Sequence, residues 1–269
     1  EYVDYAMGYG PLILGHTPTV VREAVDRAMS LGLRGGSATA TEVELAERIA
    51  KLVPSAGLTA FLSTGTEACQ LALRLARAKT GRLRIVKFRC HYHGWSDAID
   101  VATAPGNDGP ATGGQDPAAL EHVVVLDWGD ATALERALRE PTAAVVMEPV
   151  AVNAGCFEPP AGFLERAREL TRAAGAFLIF DEVITGFGRL GAPFGSQFFG
   201  VTPDLITMAK GLTNGAVPMG AVAARSEIYD AFMHGPEGAI ELFHGYTYSA
   251  HPVACAAGIA TQQIYEREG

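Results

Sequence analysis

A lysine and a carboxylate that each follow a short apolar run are the residues of this chain best suited to chemistry. Residues 176–182 read Ala-Phe-Leu-Ile-Phe-Asp-Glu, so this run leads into Asp181. Lys210 follows a second apolar run, Leu205–Ala209, and lies 29 residues after Asp181. Apolar runs of this length between turn residues predict buried strands. Because ligands bind where strands leave the sheet of an open α/β fold, both side chains are expected at a ligand site.

An amine and a carboxylate at such a site are what pyridoxal phosphate (PLP) chemistry requires. The amine forms a Schiff base with the cofactor, and the carboxylate keeps the ring nitrogen protonated. Partial burial would favour the neutral, reactive form of Lys210. Each residue also has a simpler interpretation, because most lysines are exposed and many carboxylates cap the turn after a strand.

The segment Ser63-Thr-Gly-Thr66 is a candidate anion site. It lies between a predicted strand, Leu58–Leu62, and a predicted helix that ends at Gly81. Free backbone N–H groups and the positive end of a helix attract a phosphate. Taken alone, the segment is better explained as an ordinary helix N-cap.

Two other motifs carry weaker signals. His91 and His93, with Cys90 beside them, are residues of metal-binding type. The His-x-His pair lacks a third ligand at a usual spacing, so the signal is weak. The surrounding Tyr-His-Gly-Trp sequence favours an aromatic stacking platform. The string Gly186-Phe-Gly-Arg-Leu-Gly191 matches a dinucleotide fingerprint, but no helix is expected after it, so we reject a nicotinamide-dependent dehydrogenase.

The composition excludes several classes of protein. The 269 residues are 48% hydrophobic and carry a formal net charge of −9, with a pI near 5.3. This charge argues against nucleic acid or an anionic membrane as partner. No apolar run approaches the roughly 20 residues that span a bilayer, and no secretory signal is visible. The four scattered cysteines indicate a reduced, cytoplasmic chain.

The order of predicted elements indicates an α/β fold. Strands alternate with helices, which predicts a mainly parallel central sheet with helices on both faces. Thr41 and Glu44 match a capping box at the start of a helix ending near Val53, and residues 104–117 form one long irregular loop. The further predicted elements are strands at Arg84–Phe88, Val123–Leu126, Ala143–Met147 and Gly220–Ala224, and helices at Pro18–Leu31, Ala131–Arg139, Gly162–Ala174, Ser226–Met233 and Ala250–Glu268.

Taken together in this order, the motifs resemble those of class III PLP-dependent aminotransferases, the group of glutamate-1-semialdehyde aminomutases and ω-amino acid:pyruvate transaminases. The resemblance covers essentially the whole chain. It implies the large domain of a fold type I PLP-dependent transferase, truncated at both ends and with the C-terminal small domain absent. The motifs are Ser63-Thr-Gly-Thr-Glu-Ala68, Tyr92-His-Gly94, Met147-Glu-Pro149, Phe180-Asp-Glu-Val-Ile-Thr-Gly-Phe-Gly-Arg189, Pro203-Asp204, Met208-Ala-Lys210 and His244-Gly-Tyr-Thr-Tyr-Ser-Ala-His-Pro252.

The resemblance implies a role for each site residue. Lys210 and Asp181 are the catalytic residues, and both also bind the cofactor. Lys210 forms the Schiff base and moves protons, while Asp181 holds the ring nitrogen protonated. Thr247 reaches the phosphate of a neighbouring subunit, which implies a homodimer with shared active sites. The further cofactor-binding residues are Gly65 and Thr66 at the phosphate, Tyr92 and Val183 on the two ring faces, His93, and Asn153. No metal is expected.

The resemblance also implies a domain division and a reaction. Residues 1–35 form an N-terminal segment near the active site, and residues 36–269 form the PLP-binding large domain. We predict transamination between an amine or (ω-)amino acid and a keto acid. An intramolecular aminomutase of the glutamate-1-semialdehyde type is the alternative, since Asn153 and the N-terminal region look closest to that branch.

Other outcomes remain open. A racemase or decarboxylase would use the same cofactor, and a catalytically silent PLP-pocket fragment would keep the cavity without turnover. Ile184 stands where family members acting on ornithine or γ-aminobutyrate carry Gln. Arg34 is expected to be a surface residue rather than a ligand of a substrate carboxylate.

Overall fold

A seven-stranded mixed sheet forms the centre of the molecule, and helices cover both of its faces. The computed structural model describes residues 2–16, 18–32, 37–53, 56–230 and 244–268. The strands are β1 (Leu58–Leu62), β2 (Arg84–Phe88), β3 (Val123–Leu126), β4 (Thr142–Met147), β5 (Phe177–Asp181), β6 (Leu205–Met208) and β7 (Gly220–Ala224). The helices are α1 (Thr19–Ser30), α2 (Ala40–Leu52), α3 (Gly65–Thr80), α4 (Ala131–Ala137), α5 (Phe163–Ala174), α6 (Gly195–Phe198), α7 (Ser226–Asp230) and α8 (Pro252–Glu268). Single 3₁₀ turns lie at Pro117–Leu120 and Lys210–Leu212.

The strand order is β1-β7-β6-β5-β4-β2-β3. β7 runs antiparallel to both of its neighbours, β1 and β6, so β1 and β6 point in the same direction. All the other pairs are parallel. Six of the seven strands therefore end at the same edge of the sheet, which confirms the predicted mainly parallel architecture.

Alternating strand residues divide the core into two layers. On one face, Val146, Ile179 and Val222 pack against apolar residues of α3. On the opposite face, Phe180 packs with α4 and α5, while Met208 packs with α2 and α8. Each central strand is buried on both sides, which explains why these strands read as continuous apolar runs in the sequence.

Two sequence predictions need correction. The capping box of α2 is formed by Thr39 and Glu42 rather than by Thr41 and Glu44. Thr39 accepts the N–H of Glu42, and the hydroxyl of Thr41 contacts that of Thr39. A short helix, α6, follows the glycine string where none was expected.

α6 begins there because Glu182, 13 positions before the helix in the sequence, accepts the backbone N–H groups of Gly195 and Ser196. Such a carboxylate stabilises the start of a helix. The end of the predicted helix Ser226–Met233 and the surface prediction for Arg34 lie outside the described residues.

The N-terminal segment packs on the sheet domain near Lys210. Asn214 joins the two, since its side chain accepts from Leu14 N at 2.8 Å and donates to Gly15 O at 2.9 Å. Arg189 donates to the carbonyl of Gly10. The division at residue 35 stays a prediction. Within the ranges described, no helix is long and apolar enough to cross a membrane.

Candidate active site

Five strands deliver polar residues to one edge of the sheet. Asp181 is the last residue of β5, and Lys210 follows β6 after a single alanine. Glu148 directly follows β4, and Tyr92 lies in the segment after β2. The turn after β1 opens α3. Because these strands are parallel, their ends meet at the same edge, as ligand-binding residues do in open α/β sheets.

A cavity of about 570 Å³ lies at this edge. Its size is within the range of small-molecule sites. Eight of the nine predicted cofactor-binding residues line it, namely Gly65, Thr66, Tyr92, His93, Asn153, Asp181, Val183 and Lys210. The chain fold thus brings together residues that are up to 145 positions apart in the sequence.

Asp181 is a buried carboxylate with four hydrogen-bond donors. Its Oδ2 accepts from His93 Nδ1 at 2.7 Å and from Cys69 Sγ at 3.3 Å. Its Oδ1 accepts from Val183 N and Thr207 Oγ1, each at 3.1 Å. Burial alone would raise the pKa of Asp181, but these donors, led by His93, hold it below its usual value. Asp181 is therefore a fixed anion inside the cavity.

His93 is the neutral partner of that anion. Burial lowers the pKa of His93 despite the nearby Asp181 carboxylate. An ionised carboxylate only accepts, so the hydrogen between the two groups lies on Nδ1 of His93. The ligand atoms of Cys69, His93 and Asp181 lie within 4.8 Å of one another, a separation that also suits a metal ion. The hydrogen bonds already account for this closeness, and we assign no metal here.

Lys210 presents its amine to the same cavity. The side chain is half-buried, and among the described residues its Nζ has no hydrogen-bond partner. Burial lowers the pKa of Lys210, while the charges of Asp181 and Glu148 act in the opposite direction. The backbone of Lys210 has φ of 42°, in the left-handed region that non-glycine residues rarely adopt. Strain of this kind clusters at functional sites.

The first turn of α3, which contains the predicted anion-binding turn, lies at one end of the cavity. Thr64 caps the helix by accepting from Glu67 N, and the helix continues through Gly65 and Thr66. N–H groups in a first turn have no acceptor within the helix, so they are available to an anion. A Cβ on Gly65 would lie 3.1 Å from Cγ2 of Val183. Glycine therefore leaves the space between the helix start and the cavity wall open.

Gly94 holds the loop after Tyr92 against this turn. Its φ is 92°, and a Cβ there would lie 2.5 Å from Thr66 Oγ1. We expect Gly94→Ala to displace Thr66 and to raise the Kd for PLP by roughly tenfold or more, since about 1–3 kcal/mol of strain arises at the site. Gly114→Ala is the matched control, because Gly114 has φ of 90° but no atom within 4 Å of its Cβ position. Equal Kd values for the two variants, measured by fluorescence titration, would contradict this account.

Tyr92, Val183 and Asn153 form other parts of the wall. Tyr92 is 43% exposed and lines the cavity, where its ring could stack on a ligand. Asn153 donates its Nδ2 to the carbonyls of Cys90 and Thr103, both at 3.1 Å. Ile184 adds an apolar surface to the wall. The roles predicted for these side chains stay predictions.

Thr247 is the one predicted residue that does not line the cavity. It is exposed, and its neighbour Tyr246 ties the segment to the anion-binding turn of the same chain. The Tyr246 hydroxyl donates to Glu67 at 2.7 Å and accepts from Ser63 N at 2.6 Å. The predicted contact of Thr247 with a second subunit is not tested by a single chain.

Tyr9, Cys69 and Glu148 are among the residues that line the cavity without having been predicted as site residues. Glu148 had a detectable signal, because it directly follows a buried strand in the way that Asp181 does. Cys69 lies on the first turns of α3, and its position became evident only from the contact with Asp181. Tyr9 reaches the cavity from the N-terminal segment, through contacts that no local pattern encodes.

Fold and site together define an α/β cofactor-binding domain in which a lysine and a buried carboxylate share a cavity with a helix N-terminus. A family model described as aminotransferase class-III matches residues 1–269. The chain belongs to the class-III aminotransferases, a family of PLP-dependent enzymes.

Similar proteins carry two kinds of name. Glutamate-1-semialdehyde 2,1-aminomutases from Caldivirga maquilingensis and Sulfolobus acidocaldarius are each 41% identical to the chain, over all of it and 63% of their own length. An omega-transaminase from Sphaerobacter thermophilus is 38% identical, with a TM-score of 0.87 over 97% of this chain and 61% of its own. A transaminase with PLP bound has a TM-score of 0.89 at 30% identity, over 97% of this chain and 62% of its own. The chain thus spans about 63% of the length of the curated relatives.

The residues present fit the family's cofactor. PLP carries a phosphate, an aldehyde and a basic ring nitrogen, and the cavity offers a helix start, the Lys210 amine and the Asp181 carboxylate for them. The donors around Asp181 keep it ionised, which is the form a protonated ring nitrogen requires. Pyridoxal phosphate is the cofactor of this family, and the groups that line the cavity match its three functional parts in chemical type.

Proposed function

We propose that this chain is the cofactor-binding part of an aminotransferase that moves an amino group between an amine or (ω-)amino acid and a keto acid. The observation that supports it best is the Lys210 amine, which lacks a hydrogen-bond partner among the described residues and opens into the cavity that contains Asp181. An amine held by a structural ion pair would not be available for this chemistry.

Asp181 and Lys210 would have separate roles in the reaction. Pyridoxal phosphate, when bound, supplies an electron sink that weakens bonds at the substrate carbon carrying the amino group. Asp181, as a fixed anion, would hold the proton of the ring nitrogen. Lys210 would bind the cofactor and then carry the proton between substrate atoms, because its lowered pKa leaves more of the neutral amine near pH 7 than an ordinary lysine has.

The anchoring and packing of the cofactor would fall to other residues. Gly65 and Thr66 would hold the phosphate through backbone N–H groups and a hydroxyl. Tyr92 and Val183 would pack on the ring, with His93 supporting Asp181 through its hydrogen bond. Asn153 would fix the loop beside them through its two carbonyl contacts.

An intramolecular aminomutase is the second candidate. The curated relatives that are 41% identical to the chain over the aligned residues are named glutamate-1-semialdehyde 2,1-aminomutase, which favours this reaction. The structural neighbour named an omega-transaminase and the apolar Ile184 in the cavity wall are compatible with an amine substrate other than glutamate-1-semialdehyde, as the transaminase proposal requires. The two reactions differ in that the aminomutase keeps a single substrate through both halves of the reaction.

We further propose that the active site is completed in a homodimer in the cytoplasm. Tyr246 fixes the segment that carries Thr247 to the anion-binding turn, while Thr247 itself stays on the surface. Such a side chain would be placed to contact the phosphate in a second subunit. A two-fold axis would then make each subunit contribute to both sites.

Dependence on a keto acid tests the proposed reaction. The whole protein, saturated with PLP, is supplied with an amine donor, with and without pyruvate as acceptor. We expect one turnover per site without pyruvate and continuous product formation with it, measured by chromatography of the products. The control replaces the amine with glutamate-1-semialdehyde. Continuous turnover of that compound without any keto acid would support the aminomutase and contradict the transaminase.

A further inference from the structure

Glu148 joins the two loops that carry predicted cofactor contacts. It directly follows β4, is 4% exposed, and lines the cavity. Its Oε1 accepts from the backbone N–H of Tyr92 at 2.8 Å. Its Oε2 accepts from the backbone N–H groups of Val152 and Asn153, at 2.9 and 3.2 Å. One carboxylate therefore spans both loops with its two oxygens.

The loop that carries Tyr92 is also held from its other side. The backbone N–H of Glu148 donates to His91 Nδ1 at 3.0 Å, so the residue after β4 is joined to this loop by its backbone as well as by its side chain. The fully buried Lys87 donates its Nζ to the carbonyls of His91 and Val101, at 3.0 and 2.6 Å. Oppositely charged side chains thus bind the N–H groups and the carbonyls of this one loop. Such an arrangement fixes the backbone at Tyr92 more firmly than either charge alone.

The three N–H donors favour the ionised form of Glu148. A carboxylate accepts on both oxygens, whereas an amide at the same place would direct its NH₂ group at an N–H donor. Burial raises the pKa of Glu148 to about 7, with the charge of Asp181 adding to that effect, while the three backbone donors oppose it. A second buried carboxylate in this cavity carries a desolvation cost, which the three backbone N–H donors partly offset.

We infer that Glu148 is a positioning residue that sets the Tyr92 ring against the cofactor, acting through the Tyr92 backbone. This inference rests on the proposed function of the cavity, in which Tyr92 packs on the cofactor ring. It makes the Tyr92 platform dependent on a carboxylate that does not itself take part in the reaction.

Glu148→Gln tests the inference with pyridoxamine 5′-phosphate as the probe, since this molecule forms no covalent bond with Lys210. In the whole protein, we expect the Kd to rise by about tenfold, because a hydrogen bond to a charged acceptor is lost on one side. The circular dichroism of the bound probe is expected to change as well, since it reports on how the ring is held. Kd is measured by fluorescence titration and folding by the midpoint of thermal unfolding.

Glu182→Gln is the matched control. Glu182 is a fully buried carboxylate that also accepts backbone N–H groups, those of Gly195 and Ser196, but it does not line the cavity. We expect both variants to lower the unfolding temperature and only Glu148→Gln to weaken binding of the probe. Equal effects of the two variants on Kd would overturn the inference, because a general loss of packing would then explain both.

A double variant that combines Glu148→Gln with Tyr92→Leu tests whether Glu148 acts on the cofactor through the Tyr92 ring. The leucine keeps the backbone N–H that Glu148 binds but removes the aromatic ring. We expect Glu148→Gln to change the Kd by less than about threefold in this background, as coupled residues are non-additive. An undiminished effect would overturn the role assigned through Tyr92. A wild-type protein that does not bind the probe would overturn the proposed function, and this inference with it.

Discussion

Lys210→Ala is expected to lower the rate of amino transfer by at least roughly 10³-fold, since it removes both the nucleophile and the proton carrier. The variant keeps the fold, because the Nζ of Lys210 makes no hydrogen bond among the described residues. The cavity should still bind the cofactor phosphate through Gly65 and Thr66. The measurement is the rate of product formation with saturating PLP, amine and keto acid.

Two comparisons separate lost chemistry from lost structure. Lys79→Ala removes an exposed lysine in the last turn of α3, and its rate should equal that of the wild-type protein. A small primary amine added to the Lys210→Ala protein should restore part of the rate, since it supplies the missing base. A Lys210→Ala protein with more than a tenth of the wild-type rate, measured without added amine, would contradict the assignment.

Asp181→Asn is expected to lower kcat by roughly 10²–10⁴-fold, because the substitution removes the anion that keeps the ring nitrogen protonated. Asparagine is similar in size, but its NH₂ group cannot accept from His93 and Cys69. The groups that contact the Asp181 carboxylate are all hydrogen-bond donors, so none of them would supply a replacement anion in the variant. Steady-state kinetics with PLP at saturation measure the effect on the chemical step rather than on cofactor affinity.

Glu182→Gln is also the control for Asp181→Asn, because it neutralises the next residue along the chain, which is equally buried. Its kcat should remain within about threefold of the wild-type value, since Glu182 does not itself line the cavity and its partners are the start of α6 and the Thr185 hydroxyl. If Asp181→Asn also stayed within that range, the carboxylate would be structural, and the proposed protonation of the ring nitrogen would be wrong.

The sequence predicted the sheet well because its strands are local features. Each central strand is buried on both faces, so apolar runs such as Phe177–Asp181 and Leu205–Met208 are visible without knowledge of their neighbours. The site residues at the ends of these strands follow from the same reasoning. Asp181 and Lys210 could be found because each directly follows such a run, and a parallel sheet places such positions together.

The errors arose where contacts outside the local sequence pattern decide the structure. Thr39 and Thr41 each have Glu three positions later, so the sequence offers two equal capping boxes, and the fold selects the first. α6 depends on Glu182, a carboxylate 13 positions before the helix starts. Sequence proximity does not show which N–H groups a buried carboxylate will accept.

The same reason kept Glu148 from being assigned a role. Its partners lie in two loops, one 56 positions before it and one a few positions after it. The Glu-Pro motif was visible, but the two loops become neighbours only when β2 and β4 pair in the sheet. The contact of Thr247 with a second subunit depends on a partner chain and therefore stays a prediction.

The central claim is that Lys210 binds the cofactor covalently, and reductive trapping tests it most directly. The whole protein is incubated with PLP, reduced with sodium borohydride, digested and examined by mass spectrometry. The lysines of this chain are Lys51, Lys79, Lys87 and Lys210. The account predicts a pyridoxyl group on Lys210 alone, at one per chain, and its loss when an amine substrate is added before reduction. Label on Lys51 or Lys79 with Lys210 unmodified, or no label at all, would contradict the account.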